Sequence, residues 1–330
     1  MTPAEVRATV PVKWGVISTA RINRLFLSGV RSSEAVEVVA VASRDRDRGA
    51  RFAAEHEIGR VHASYEELLA DPDVEAVYNP LPNSLHIEWT LRALQAGKHV
   101  LCEKPLSRHA HEVERAFEVA EREGRLLMEA FMYRHNPQTR RLTELVREGA
   151  VGRLRLIRAA FSFPAPEGDV RLSRRLDGGA LMDVGCYCVS GARLLAGEPE
   201  RVSAEQVTGG DGVDVSIAAT MRFGEDVLAH FDAGLALAAR DELEVVGERG
   251  ALFLDDPWHC RKPVIELHRG EGIERINVPV ADSYGLEGEN FSRAIRGEAE
   301  PLLGRADAVG QARAIEALYR AADSGQTVTL

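Results

Sequence analysis

From Val10 onward the chain alternates short apolar runs with stretches of helical period. Val10 to Ile17, Val36 to Ala42, Val74 to Tyr78, His99 to Cys102 and Leu126 to Tyr133 are short and nearly continuous in apolar residues, the pattern of buried strands. Between them the spacing changes to three and four: Ile22, Leu25 and Phe26 after the first run, Arg48, Phe52 and Ala53 after the second. Ser64 with Glu67 makes a capping box ahead of Leu68 and Leu69. Further helices run from about Ser84 to a stop at Gly97 and from Ser107 to Gly124. Strand and helix in strict alternation predict a parallel, doubly wound sheet, because parallel neighbours need a crossover and a helix supplies it.

Pro137, at the first turn of a helix ending near Gly149, marks a change of pattern. Strands then come in clusters: Arg155 to Phe163, Arg201 to Val207, Asp214 to Phe223, Val227 to Leu235, Glu242 to Val246, Ala251 to Leu254 and Val264 to His268. Turn-forming stretches at Phe223 to Asp226 and Gly247 to Gly250 join some of them as hairpins, so the second sheet is largely antiparallel and open. One helix, Gly179 to Leu195, interrupts it, and two more, Leu286 to Arg296 and Ala306 to Ala322, close the chain. With 330 residues the sequence suits two units, 1–135 (α/β) and 136–330 (α+β), the helix at 305–324 packing back on the first.

Charge and composition then narrow the function. A net charge of -10 argues against a partner held through phosphate contacts with nucleic acid and slightly favours a cationic small substrate. Met1 to Arg7 lack the apolar core of a secretory signal, and no run reaches the roughly 20 apolar residues of a membrane helix. Four cysteines without a CxxC pair predict neither a disulfide framework nor zinc, so the expectation is a reduced, cytoplasmic protein with no membrane partner and no metal.

Lys104 stands out among the candidates for chemistry. Pro105 forces it into an extended conformation at the end of a strand, and carboxyl ends of strands are where open α/β sheets bind ligands. It is one of only four lysines in an arginine-biased chain, and lysine is the base whose protonation can be tuned; a solvated surface lysine is the alternative. After the first strand, the glycines of a G-x-G-x-x-G fingerprint are replaced by Ser18, Ala20 and Asn23, so the segment reads either as an ordinary βα turn or as a small-residue turn offering N–H groups to a pyrophosphate. Ser43 and Arg44 precede Asp45 at the end of the second strand, favouring a 2'-phosphate over a bare 2'-hydroxyl, unless they are a solvated charge run. Asn79 to His86 carries two prolines, with Asn83 or Ser84 as a helix cap and His86 on the first turn. Asp183 and Tyr187 lie four apart on an apolar helix and share a face, as a site pair or as a cap and a core phenol.

Taken in order, WGVISTARI, YNPLPNSLH, CEKPL, MEAFMYRHNPQ and GGALMDVGCY make the chain resemble the glucose-fructose oxidoreductase / inositol dehydrogenase / rhizopine-catabolism family of pyridine-nucleotide enzymes. It is most similar to the branch of dihydrodiol dehydrogenases, NADP-dependent aldose dehydrogenases and nucleotide-sugar 3-ketoreductases. The resemblance implies an N-terminal Rossmann domain for the dinucleotide and a C-terminal domain for substrate binding and oligomerisation. It implies NADP(H), with NAD(H) as the alternative, and a sugar or cyclic polyol as substrate. It assigns catalysis to Lys104, Tyr187 and Asp183, with Arg171 joining them at the substrate. Ser18, Thr19, Ala20, Arg21, Ile22, Ser43, Arg44, Pro80, Leu81, Asn83, His86, Glu103, Lys104 and Arg134 would touch the cofactor. Tyr187 would be the base, its phenolate favoured by the Lys104 ammonium. A homodimer or homotetramer is expected, and a cofactor-binding regulator without catalysis is the rival reading.

Overall fold

The computed structural model describes residues 10–330; the expectation drawn from Met1 to Arg7 lies outside the described residues. The first sheet has six parallel strands: β1 (Val12–Ile17), β2 (Val36–Ala42), β3 (Arg60–His62), β4 (Ala76–Asn79), β5 (His99–Glu103) and β6 (Leu127–Ala130). Helices α1 (Asn23–Val30), α2 (Arg46–His56), α3 (Tyr65–Ala70), α4 (His86–Gln95) and α5 (Ala110–Arg122) connect them. The spatial order is β3-β2-β1-β4-β5-β6, so the chain winds away from β1 in both directions. The crevice at the carboxyl ends of β1 and β4 is therefore the switch point where such sheets take ligands.

β1 begins two residues later than the apolar run, and β3 was not expected: three residues, none fully buried, carry no readable period. The run from Leu126 to Tyr133 divides into β6 and a 3₁₀ turn, Met132–His135. All other predicted strands of this sheet are present.

α6 (Pro137–Arg147) leads into a nine-stranded sheet of β7 (Leu154–Ser162), β8 (Pro199–Thr208), β9 (Asp214–Phe223), β10 (Leu228–Gly234), β11 (Arg240–Gly247), β12 (Ala251–Asp255), β13 (Val264–Arg269), β14 (Gly272–Asn277) and β15 (Val328–Thr329). Every pairing is antiparallel except β7 with β10. β14 and β15, absent from the sequence reading, are edge strands whose exposed side chains give no apolar alternation. The helix expected from Gly179 to Leu195 starts instead as a π-helical turn, Leu181–Gly185, followed by α7 (Cys186–Ala196).

Two late helices return to the first sheet. α8 (Ser283–Ile295) crosses α1 at a glycine pair: a Cβ at Gly285 would stand 2.5 Å from the Gly29 carbonyl oxygen, so only glycine allows the approach. Beside that crossing Trp14, on β1, packs between Phe26 and Phe291 and donates its indole N–H to Ser292 Oγ at 3.0 Å. Each such buried ring contributes roughly 1.5–3 kcal/mol. α9 (Arg305–Ser324) lies against α5, where Arg305 pairs with Glu114 at 2.6 Å and Glu121 at 2.9 Å. Together they lay the second sheet, with α7 on its inner face, alongside the crevice. Among the described residues no helix is long and apolar enough to cross a membrane.

Candidate active site

The turn after β1 compensates for its missing glycines. Ser18 adopts a left-handed φ of 65°, its hydroxyl accepts from the Ala20 N–H at 3.2 Å, and the buried Asn23 amide donates to the Ser18 carbonyl at 2.9 Å. Two side-chain hydrogen bonds thus hold a sharp turn through Thr19, Ala20, Arg21 and Ile22. α1 then starts with no side-chain cap, and the N–H groups of Asn23, Arg24 and Leu25 bond back to the Ala20, Arg21 and Ile22 carbonyls of the turn. At the end of β2 the acid is already engaged: Asp45 accepts from the Arg48 N–H at 2.9 Å as the cap of α2. Ser43 is buried and donates to the Asp45 carbonyl at 2.7 Å, and Arg44 is exposed. A guanidinium at this position, near the Tyr65 hydroxyl and next to a carboxylate already used as a cap, fits a phosphorylated adenosine ribose.

Pro80 and Leu81 are buried at the carboxyl end of β4. Asn83 does not cap α4; it opens a 3₁₀ turn and donates from its amide to the Asp177 carbonyl at 2.8 Å, across the crevice. His86 also departs from expectation. It is 1% exposed, with Nδ1 2.9 Å from the Pro105 carbonyl and Nε2 2.6 Å from the Leu81 carbonyl, and burial drives its pKa down to about 4. The neutral imidazole has a single N–H and donates to one of these two carbonyls; buried between the β4 loop and the lysine loop, it presents no open edge to a cofactor. Arg134 lies in the 3₁₀ turn after β6, its guanidinium 3.4 Å from both Ser190 Oγ and Asp307 Oδ1, between α7 and α9.

Lys104 follows Glu103 at the end of β5, and the Lys104-Pro105 bond is cis. Its ammonium donates to the Asp183 carbonyl at 2.9 Å and to Asp183 Oδ1 at 3.4 Å, and it rests on the Tyr187 ring, 5.0 Å from the centroid. Arg171 donates from Nε to Asp183 Oδ2 at 2.8 Å. The structure therefore brings Lys104, Asp183, Tyr187 and Arg171 together. Asp183 lies in the π turn and Tyr187 in the first turn of α7, and both side chains meet the Lys104 ammonium.

Burial opposes the charge on Lys104, but Asp183, Cys186 and Glu103 outweigh it, and the pKa is raised, so the ammonium persists across the neutral range. Tyr187 differs from the sequence expectation of a stabilised phenolate. Its ring is enclosed by Phe131, Phe161 and Trp258, its hydroxyl donates to Met132 Sδ at 3.5 Å, and burial first, then the acidic groups around it, push its pKa well above the usual phenol value. Lys104 faces the ring and not the oxygen, so the phenol keeps its proton. Glu103 is buried, accepts from the Tyr78 hydroxyl at 2.6 Å, and has a pKa raised by that burial.

Three supporting residues escaped the sequence reading. Tyr78 reads as core within an apolar strand, yet it holds Glu103. Glu129 accepts from the Leu106 N–H at 2.7 Å behind the lysine loop, and an acid inside a buried strand was a visible signal. Asp177 pairs with Arg108 at 2.7 Å, joining the two sides of the crevice.

The family described as "Oxidoreductase family, NAD-binding Rossmann fold" matches residues 12–131, and the "GFO/IDH/MocA C-terminal domain" matches residues 139–253. The chain is similar to D-xylose 1-dehydrogenase (NADP(+)) 2 of Haloferax volcanii, at 37% identity over 96% of this chain and 99% of the relative. It is similar to dTDP-3,4-didehydro-2,6-dideoxy-alpha-D-glucose 3-reductase of Actinomadura kijaniata, at 36% identity over 93% of this chain and 95% of that enzyme. A crystal structure of a 3-ketoreductase from Actinomadura kijaniata in complex with NADP and TDP-benzene superposes with a TM-score of 0.90 at 35% identity, covering 94% of this chain and 98% of that one.

Proposed function

The chain belongs to the GFO/IDH/MocA oxidoreductase family, and from that premise we propose that it is an NADP(H)-dependent enzyme interconverting a carbonyl and a hydroxyl on a sugar, with a nucleotide-linked deoxysugar as the favoured substrate. The observation that carries the reading is the meeting of a persistent ammonium, Lys104, with a protonated phenol, Tyr187, beside the cofactor crevice. Similarity to the 3-reductases and to the xylose dehydrogenase over nearly the whole chain supports the sugar. Ser43 and Arg44 would hold the 2'-phosphate, the turn from Ser18 to Ile22 the pyrophosphate, and Glu103 would approach the nicotinamide ribose.

When bound, the reduced nicotinamide supplies the hydride. Lys104 donates a hydrogen bond to the substrate carbonyl oxygen and stabilises the negative charge that develops there. Tyr187 gives its proton to that oxygen, completing the alcohol. Asp183 holds the Lys104 ammonium in place, and Arg171 holds Asp183 and reaches toward the substrate. Burial keeps Tyr187 as the phenol, the form that donates in the reductive direction; in the oxidative direction the same residue takes the proton back as the phenolate. Assembly as a homodimer or homotetramer through the open face of the second sheet belongs to the same reading.

Turnover is followed at the nicotinamide absorbance with keto-sugars, aldoses and aromatic dihydrodiols. Tyr187→Phe is expected to lower kcat by about 10²- to 10⁴-fold with cofactor affinity intact. Near-normal turnover in that variant removes Tyr187 from the chemistry. Cofactor binding without turnover across the panel returns the regulator, and activity on dihydrodiols alone moves the substrate to apolar diols.

A further inference from the structure

Asp214 opens β9, far from Asp183 in sequence, yet its buried carboxylate is engaged at the start of the π turn. Oδ2 accepts from the Leu181 backbone N–H at 2.7 Å, and Oδ1 accepts from the Tyr319 hydroxyl of α9 at 2.8 Å. Leu181 is the first residue of the turn, which has no side-chain cap from its own segment. Asp214 is thus a helix cap delivered from a neighbouring strand, with the negative charge at the end of the helix where the backbone dipoles favour it. The fit is close. Gly179 has φ +128°, and a Cβ there would fall 2.1 Å from Asp214 Oδ1 and 3.0 Å from the Tyr319 hydroxyl.

The far side of Tyr319 leads back to the first domain. Its ring carries the Arg108 guanidinium at 4.3 Å, Arg108 pairs with Asp177 at 2.7 Å, and the Asp177 carbonyl accepts from Asn83. The start of the π turn is therefore fixed from β9, from α9 and, through Arg108, from the loop after β5.

We propose that Asp214 and Tyr319 form a positioning clamp that sets the rotation of the π turn, so that the Asp183 carbonyl and carboxylate grip the Lys104 ammonium. Neither residue touches substrate or cofactor; they act through Asp183. The proposal deepens the reading of Lys104 and Asp183 above and rests on it for its kinetic consequence. Its structural consequence stands alone: releasing the clamp loosens Asp183 from Lys104, and the lysine then loses the largest interaction that opposes its burial. The groups facing that ammonium are Asp183 and Cys186 on the turn and α7, Glu103 on β5 and Arg171 in the loop after β7, with His86 and Glu129 behind the lysine loop. The Tyr187 ring lies beneath it.

The chain has four lysines, so reductive methylation with ¹³C-formaldehyde gives a spectrum simple enough to assign Lys104 by its loss in Lys104→Arg. In Asp214→Asn, which keeps the shape but cannot accept from both donors, the Lys104 titration midpoint is expected to fall by a pH unit or more. Tyr319→Phe, which keeps the ring and its cation contact, is expected to move it the same way by less. That variant also serves if Asp214→Asn fails to fold. With a turned-over substrate, the basic limb of the kcat profile moves acidward by a similar amount, while KM for the cofactor is unchanged. An unchanged Lys104 midpoint in both folded variants overturns the clamp, whether or not a substrate has been found. A wild-type enzyme silent on every substrate, with the midpoint shift present, counts against the assigned activity and leaves the clamp standing.

Discussion

Replacing Glu129 by glutamine tests how the lysine loop is anchored. Glu129 is fully buried on β6; one carboxylate oxygen accepts from the Leu106 N–H at 2.7 Å, and the other has no partner among the described residues. Burial pushes its pKa up from 4.5 to about 8, with Leu106, Arg193 and Lys104 pulling the other way and Asp307 adding to the rise. The unfolded chain releases this proton near the ordinary value, whereas the folded chain keeps it until about pH 8. Between those limits the folded state binds more protons than the unfolded state, so stability falls as pH rises. At about 1.4 kcal/mol per pH unit, the separation sets a ceiling of about 5 kcal/mol.

Glutamine keeps the acceptor for Leu106 and has no proton to lose. Urea unfolding of both proteins, followed by circular dichroism from about pH 5 to about pH 8.5, should show the variant gaining on the wild type by at least ~2 kcal/mol. Glu287, buried with both oxygens unpartnered, titrates in the same direction but is present in both proteins and cancels from the difference. Two stability curves that run parallel across this range would refute the assignment of a buried, neutral Glu129.

Arg44→Ala should weaken NADP(H) binding by about 10- to 100-fold, the loss of a charge-assisted contact worth ~1.5–3 kcal/mol, with little change for NAD(H); equal losses for the two cofactors, measured by fluorescence titration, would take Arg44 away from the 2'-phosphate. Gly285→Ala places its Cβ 2.5 Å from the Gly29 carbonyl oxygen. The α1/α8 crossing should open at a cost of about 1–3 kcal/mol, seen as a lowered Tm; an unchanged Tm would mean that the two helices do not meet so closely.

The first sheet was legible because its strands are buried on both faces and its helices are amphipathic, so two periods alternate without overlap. β3, β14 and β15 were not, because edge strands with exposed side chains satisfy hydrogen bonds without requiring an apolar alternation. The same division runs through the site. Lys104, Asp183 and Tyr187 were visible as polar residues in apolar surroundings, and Asp183 and Tyr187, four apart, do meet on one ammonium, although the segment between them begins as a π turn and not as an α-helix. Nothing between Gly179 and Tyr187 dictates that turn; its first N–H is held by Asp214, a residue that reads as an ordinary strand start.

The proton on Tyr187 was hidden for a related reason. An ammonium near a phenol lowers its pKa only if it approaches the oxygen, and whether Lys104 meets the oxygen or the ring face is settled by packing. Here Asp183 draws the ammonium onto the face of the ring, while Phe131, Phe161 and Trp258 deny the phenolate its water. Identical residues at identical spacing would bring the ammonium to the phenol oxygen if the turn were rotated; as it stands they meet at the face of the ring. Where the ammonium meets the phenol thus depends on a backbone turn whose first N–H is held by a carboxylate on a neighbouring strand.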